Sequence, residues 1–405
     1  MEANPGPDAG GVQDGTILLR HARLYQPEPA GVQDVLAVGE RVVAVGPDLA
    51  LPAWAAGAPV LDVEGRIVIP GLVDAHVHIA GGGGEGGPIN RTPEIQLTDL
   101  TLAGITTVVG VLGTDGATRS VQGLLAKARA LQAEGLTAFL YTGAYEVPTR
   151  TITDNPRTDL VLIDPIIGVG EIAVSDQRGS HPRPHELARL AGEARVGGLL
   201  GNKAGVLHCH LGSGPSGLEP LREVLARWDV PPEALVPTHL NRNVALVRDA
   251  LDWGRTGGLI DLTTDIRTTP ADPHAVSAHE AALRLRDAGV PWDRISFSSD
   301  AQGSSPVFDA AGRLVTIGIA SARTLFEEVR ALVEAGLSLE EAIRPVTTHP
   351  ARVLKLAGQG RIQVGGPADL VVLEPSLGID TVVARGRLMV QAGRAVRTGR
   401  FEQPT

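Results

Sequence analysis

The chain has 405 residues, 43% of them hydrophobic and only 3% aromatic, so it can bury one large domain and a smaller one around Val, Leu, Ile and Ala. A net charge of -10 argues against nucleic acid or an anionic membrane surface as a partner. The single cysteine, Cys209, excludes an intrachain disulfide framework and fits a reducing compartment. No run approaches the roughly 18 apolar residues of a membrane span, and Met1–Gly15 lacks the apolar core of a secretory signal. The expectation is a soluble cytoplasmic protein.

Residues 1–15 read as a disordered lead. From Thr16 to Ile69 short β-like runs follow one another, at Ile17–Leu19, Val35–Val38, Arg41–Val45, Val60–Val63 and Arg66–Ile69, with Gly39-Glu40 as a hairpin turn. At Pro70 the pattern changes. Strand-like runs at 72–77, 105–111, 137–142, 166–174, 205–210, 235–239, 258–263 and 294–299 alternate with amphipathic stretches such as Val121–Ala133, Leu218–Arg227, Val244–Trp253 and His274–Ala288. Eight alternations over 71–356 span 286 residues, close to the roughly 250 of a (β/α)8 barrel. A doubly wound open sheet is the alternative, and the count of eight favours the barrel. After Leu356 the β-like pattern returns at Asp369–Leu373, Thr381–Ala384 and Arg387–Val390. The expected architecture is an α/β chain: a TIM-type barrel over 70–356, and a small β-sandwich built from both chain ends, 16–69 and 357–405.

The stretch 69–85 holds the first chemical signal. His76 and His78 are two apart, so in a strand they share a face. A lone His-x-His is more often an ordinary polar pair. The apolar approach Ile67–Ile69, the Pro70-Gly71 turn and the Gly81–Gly84 run, read as a flexible loop open to ligand, shift the reading to metal ligands. Barrel active sites lie at the C-terminal ends of the strands. Strand four carries Glu171, strand five ends in His208-Cys209-His210, strand six in His239 and strand eight in Asp300. Imidazole and carboxylate ligands in one ring suit Zn²⁺ or another divalent first-row metal.

These residues, with Pro70–His78, the histidines ending strands five and six and the β-structure closed by Gly360–Val372, resemble the amidohydrolase superfamily. Within it the chain is similar to the bacterial isoaspartyl dipeptidases (β-aspartyl peptidases). Gly81–Glu85, Gly113-Thr114-Asp115, Thr142–Tyr145, Ser175–Arg178, Pro237–Arg242 and Ser298–Ser304 carry that closer match. The resemblance implies two Zn²⁺ per chain, one held by His76, His78 and Asp300 and the second by His210 and His239. His208 is read as an outer-sphere or core histidine and Cys209 as packing. The family bridges its metals with a carboxylated lysine on strand four. Here the only lysines are Lys127, Lys203 and Lys355, so none lies on that strand. Glu171 stands in its place as the proposed bridge. It is shorter, so the backbone must approach, which a bulge at Gly170 would allow. The plainer alternative is that Glu171 makes a salt bridge and one metal is lost.

Asp300 is expected to shuttle the proton of the attacking hydroxide to the leaving amine, and the resemblance makes Tyr145 the oxyanion donor. Arg178 and Arg242 each follow a metal-bearing strand, and guanidinium forks bind carboxylates. Glu85 can accept a substrate ammonium. Gly83, Thr114 and Ser304 add contacts by resemblance. The expected substrate is a small β-aspartyl dipeptide, with cyclic amides or N-acyl amino acids as the alternative. The resemblance also implies a homo-oligomer, as large as an octamer.

Overall fold

The first strands are β1 (Thr16–Tyr25), β2 (Pro29–Val38), β3 (Arg41–Gly46), β4 (Val60–Asp62) and β5 (Ile67–Pro70) in the computed structural model, which describes residues 15–269, 272–308 and 313–402. The expected disordered lead therefore lies, Gly15 apart, outside the described residues. Gly39-Glu40 joins β2 to β3, with Val38 opposite Arg41. Next come β6 (Leu72–Val77), β7 (Ile105–Gly110), β8 (Thr137–Thr142), β9 (Ile166–Val174), β10 (Val206–Leu211), β11 (Leu235–Thr238), β12 (Ile260–Thr263) and β13 (Ile295–Ser298). A hairpin, β14 (Ser304–Phe308) and β15 (Leu314–Ile319), follows β13, and β16 (Leu370–Leu373), β17 (Ile379–Ala384), β18 (Arg387–Gln391) and β19 (Arg394–Ala395) finish the chain. The hairpin is absent from the sequence-based reading.

The two chain ends do pair. β5 runs antiparallel to β16, with Ile67 opposite Leu373 and Pro70 opposite Leu370. They form one nine-stranded sheet, in the order β19-β18-β17-β16-β5-β1-β2-β3 with β4 on β1, instead of the two separate sheets of a sandwich. Strand alternation explains how one sheet serves two cores. Leu370 and Val372 turn to a cluster with Leu19, Val35 and Val68, while Val371 and Leu373 join the main core beside Ile69.

β6 to β11 form a six-stranded parallel sheet, and β12 and β13 a parallel pair. The expected closed ladder of eight is thus an arc of six and a pair of two. They meet where Leu240 N donates to Asp261 O (3.3 Å) and, on the other side, where His78 N donates to Ala301 O (2.9 Å) and Asp300 N to His76 O (3.1 Å). Inside the arc lie Val73, Val109, Tyr141, Ile167, Val206 and Val236, covered at the strands' N-terminal ends by Ala351, Leu354 and Leu356. The helices between strands start and stop where local chemistry dictates. Ser120 Oγ accepts from Gly123 N (3.1 Å) to begin Val121–Glu134, and Gly135, at φ 111°, ends it. Among the described residues no helix is long and apolar enough to cross a membrane.

At the seam between sheet and arc sits Asp369. Its carbonyl accepts from Gly71 N (2.9 Å), and its carboxylate accepts from Arg385 N (2.8 Å). Burial pushes its carboxyl up to about 7. Because the folded value is raised above the ordinary value near 3.9, folding favours the neutral acid. Stability is fully present below about pH 4, falls by about 1.4 kcal/mol per pH unit through that window, and levels off above about 7. Asp369→Asn is therefore expected to unfold at a higher temperature than the parent at pH 8, with the gap closing toward pH 4.5. Thermal melts at the two pH values test this; a gap that does not change with pH would sink the assignment.

Candidate metal centre

The C-terminal ends of β6, β9, β10, β11 and β13 converge. From β6, His76 and His78 point to one side. A bulge lies between Asp74 and Val77, where β6 spends three steps against two on β7. It swaps the apolar residues from the inner cluster (Val73, Ala75) to the outer core (Val77), so the simple alternation of this strand is broken just before its two histidines. His76 Nε2 lies 3.5 Å from Glu171 Oε2 and 3.3 Å from Asp300 Oδ1. His78 Nε2 lies 3.5 Å from Glu171 Oε1 and 3.0 Å from Asp300 Oδ1. On the other side of Glu171, His210 Nδ1 is 3.0 Å and His239 Nε2 is 3.7 Å from Oε2. His239 and Asp300 both leave their strands in the left-handed region, at φ 62° and 59°, where a side chain is strained and persists only if its surroundings hold it.

Glu171 reaches this position because β9 carries the expected bulge. Against β10, Val169 pairs Leu207 and Ile172 pairs Cys209, so three steps on β9 meet two on β10 and Gly170-Glu171 is pushed out of the ladder. Gly170 has φ +155°, and a Cβ there would sit 2.7 Å from His208 Cβ and 2.7 Å from its carbonyl oxygen. Only glycine lets the two strands come this close.

The donor set fits metal ions. Three groups have ligand atoms mutually within 4.8 Å: His76, His239 and Asp300; His76, His78 and Glu171; and Glu171, His210 and His239. His76 Nε2, Glu171 Oε1, His239 Nε2 and Asp300 Oδ1 are buried and make no hydrogen bond among the described residues, although they lie at ion-pairing distances. Buried polar atoms are ordinarily satisfied, and cations held among these groups would satisfy all four. Burial opposes the charge of Glu171, yet His76 and His210 hold its carboxyl well below the usual range, and Asp300 is likewise held down by His76 and His78 against its burial.

Two of these imidazoles have outer partners that fix them. His210 Nε2 lies 3.0 Å from Asp176 Oδ2, a carboxylate–imidazole pair, and His239 Nδ1 lies 2.6 Å from Thr263 Oγ1. Asp176 lies within the Ser175–Arg178 match, five residues past Glu171 and beyond the end of its strand, so its place in the chain does not mark it as a partner of His210. Cys209 faces the helix-side core, where burial raises its thiol, so it packs and does not ligate. His208 lies 2.7 Å from His76 Nδ1.

A cleft of about 210 Å³ opens over this centre, bounded by His78, Gly83, Thr114, Tyr145, Arg178 and Arg242, with Ser304 at its edge. The expected substrate contacts are brought together, in a form the sequence did not reveal. Glu85 Oε1 accepts from Thr114 Oγ1 (2.9 Å) and Arg178 Nη1 (3.1 Å), and Oε2 accepts from Ser304 Oγ (3.0 Å). Thr114 and Ser304 thus hold Glu85. Arg178 also forks onto Asp176, through Nε (3.0 Å) and Nη2 (2.8 Å), so its guanidinium is already committed to two carboxylates. Arg242 differs: its Nε donates to Leu211 O (3.1 Å), and it forms no ion pair among the described residues. Tyr145 Oη sits 2.8 Å from His210 Nδ1, and burial holds its hydroxyl well above its ordinary range, so it stays protonated. Three of the four N–H groups of the glycine run are already taken within the protein, and Gly83 is the member of the run that lines the cleft. Gly81 N donates to His78 O (2.7 Å), Gly82 N to Thr92 Oγ1 (2.6 Å) and Gly84 N to Asn90 O (3.2 Å). Its glycines serve close packing, as at Gly83, where a Cβ would lie 2.6 Å from Asn90 O. Missed by sequence reasoning is the far wall, where Asp265, Arg267 and Asp272 follow β12.

Comparison with known proteins agrees with this geometry. Residues 266–389 match the amidohydrolase family model. The β-aspartyl dipeptidase of Fervidobacterium islandicum AW-1, solved with a β-Asp-Leu dipeptide, superposes with a TM-score of 0.88 at 39% identity, over 96% of this chain and 100% of that one. The chain belongs to the amidohydrolase family. More distant members are also similar in sequence. An imidazolonepropionase of Paracoccus denitrificans is 27% identical over 398 residues (88% of this chain, 92% of that protein). A dihydroorotase of Mycobacterium tuberculosis is 25% identical over 401 residues (89% of each). As a member of the family the chain is a hydrolase with a metal-binding donor set.

The bulge makes a local prediction. Gly170→Ala is expected to cost about 2 kcal/mol or more, because both its φ and its space forbid a side chain. Gly192→Ala, inside helix Pro184–Gly201 with nothing within 4 Å of the added carbon, is expected to be neutral or to gain up to about 1 kcal/mol. Denaturant melts of the two variants compare them directly; equal stability would show that the strands can separate at Glu171 without cost.

Proposed function

We propose that this amidohydrolase cleaves the β-aspartyl amide bond of small dipeptides, using two Zn²⁺ bridged by Glu171. The observation that carries the reading is the charge pattern around Arg178 and Arg242, two arginines that line the cleft. Arg178 is shared by Glu85 and Asp176, which leaves one negative charge in excess there, and Arg242 supplies a positive charge without an ion-pair partner among the described residues. An isoaspartyl dipeptide carries the complementary ammonium and carboxylates. The full-length similarity to a β-aspartyl dipeptidase supports the same substrate.

His76, His78 and Asp300 would hold one ion and His210 and His239 the other. Bound there, the ions supply a hydroxide near neutral pH and polarise the scissile carbonyl. The protein's own groups do the rest. Glu85 binds the α-ammonium of the aspartyl residue, and Arg242 forks onto a carboxylate. These two contacts fix the β-amide over the centre, which converts binding energy into orientation. Asp300, kept ionised, takes the proton of the attacking water and passes it to the leaving nitrogen. Tyr145, kept protonated, donates to the oxygen on which charge develops. We read the arc of six strands and the pair as the staves of one eight-stranded barrel, which is what holds these groups in register. The protein is read as a cytoplasmic homo-oligomer.

A second reading, hydrolysis of a cyclic amide, is favoured by the similarity to an imidazolonepropionase and a dihydroorotase. Assays with β-Asp-Leu, α-Asp-Leu, dihydroorotate, a hydantoin and N-acetyl amino acids separate the two. Turnover confined to β-Asp-Leu is expected; turnover confined to the cyclic amides would replace the first reading by the second. Tyr145→Phe is expected to lower kcat by about 10²- to 10³-fold with little change in KM. Zinc content is expected to be about two per chain and to fall in Glu171→Ala, as measured by atomic emission; an unchanged content would remove the bridging role.

A further inference from the structure

His208 is left over from this chemistry, yet it is wholly buried and is the residue in contact with His76 on the side away from the centre. We propose that His208 is a positioning residue that fixes His76, through an imidazole–imidazole hydrogen bond, as a metal ligand. The inference rests on the reading of His76 as a ligand.

The geometry assigns the protons. His76 turns Nε2 toward Glu171 and Asp300, and its Nδ1 lies 2.7 Å from His208 Nε2. A ligating imidazole is neutral and carries its one proton on the nitrogen that does not ligate. His76 Nδ1–H therefore donates to His208 Nε2, and His208 carries its own proton on Nδ1. His208 is itself clamped. Its ring stacks on Tyr141, with centroids 4.7 Å apart and planes 17° from parallel. Its Cβ and carbonyl lie where a Cβ on residue 170 would be, 2.7 Å away, so the bulge that delivers Glu171 is built against this same residue. One histidine thus braces a ligand on β6 and meets the bulge of β9. The partner of a ligating histidine is usually a carboxylate, a carbonyl or water. A neutral imidazole acceptor fixes the tautomer and ring plane without adding negative charge to a centre that already holds Glu171, Asp300 and Asp176.

The test is zinc affinity, read by competition with a chromophoric chelator against purified metal-free protein. His208→Val removes the acceptor, and His208→Gln can keep an oxygen near the position of Nε2. Loss of an outer partner costs about 10- to 100-fold in metal affinity, so His208→Val is expected to weaken one of two zinc sites by that factor. His208→Gln is expected to recover most of it. Thermal melts separate this effect from packing: both variants lose the ring stacked on Tyr141, so the inference expects them to melt close to each other without metal and His208→Val to lose more of the zinc-induced rise than His208→Gln. Parent-like zinc affinity in His208→Val overturns the inference alone. Equal weakening in both variants overturns it too, since any disturbance of packing would then suffice. A parent protein that binds no zinc overturns the metal reading and this inference with it.

Discussion

The site depends on how close β9 can bring its backbone to the centre. A glutamate is short, and for its carboxylate to reach imidazoles from three other strands the chain must leave its ladder. The three-against-two register opposite Leu207–Cys209 does this, and Gly170 lets the displaced backbone rest on His208. Every ligand distance to Glu171 follows from that contact: 3.0 to 3.7 Å to His76, His78, His210 and His239. A longer anionic side chain would need no bulge. The glutamate and the bulge are therefore one feature, and neither is useful alone.

Around that feature the structure adds rigidity in layers. Glu171 and Asp300 sit among the imidazoles, while Asp176 and Thr263 orient His210 and His239 from behind. The left-handed backbone at His239 and Asp300 turns both chains at the rim of the strands. Farther in, Asp261 accepts from the hydroxyls of Thr238 (2.7 Å), Ser296 (2.8 Å) and Ser298 (2.5 Å), and so ties the pair β12–β13 to β11 where no ladder joins them. Hydroxyl-to-carboxylate bonds in a buried setting are strong enough to replace a missing backbone rung.

Much of this was legible in the sequence, and the exceptions have physical causes. Buried parallel strands read as apolar runs, so the strand positions could be taken from spacing, and the N- or O-donors at five strand ends from their place in that pattern, while their assignment to two metals came from the family resemblance. The bulge at Gly170 could be anticipated from the mismatch between a short side chain and the distance it must span. The bulge in β6 could not, because Val73, Ala75 and Val77 alternate perfectly in sequence while the backbone shifts face between Asp74 and Val77. Nor could the sequence say that Arg178 is spent on Asp176 and Glu85 while Arg242 forms no ion pair among the described residues; both are arginines a few residues past a candidate ligand strand. The hairpin β14–β15 was hidden because β15, with Val315 and Ile319 largely in solvent, lacks a buried stripe. The sandwich became one sheet because β5 and β16 pair edge to edge, which depends on register and not on composition.

Members of one family can share a centre and differ in substrate, since strand-borne ligands act on any amide placed above them. Selectivity must come from the loops. A cyclic amide such as dihydroorotate offers a carboxylate to Arg242 but no cation to Glu85. Glu85 would then remain beside Asp176 with a single guanidinium between them, two largely buried carboxylates against one cation. Burial disfavours that excess charge, yet Glu85 is held ionised by its own backbone N–H, Thr114 and Arg178. An anion kept charged against burial, just behind residues that line the cleft, attracts a cationic ligand and repels an anionic one. A substrate with an ammonium next to its scissile amide removes the imbalance on binding, and a substrate without one leaves it in place. On the proposed function, selection therefore falls on the positive end of the substrate, where a β-aspartyl dipeptide and a cyclic amide differ most.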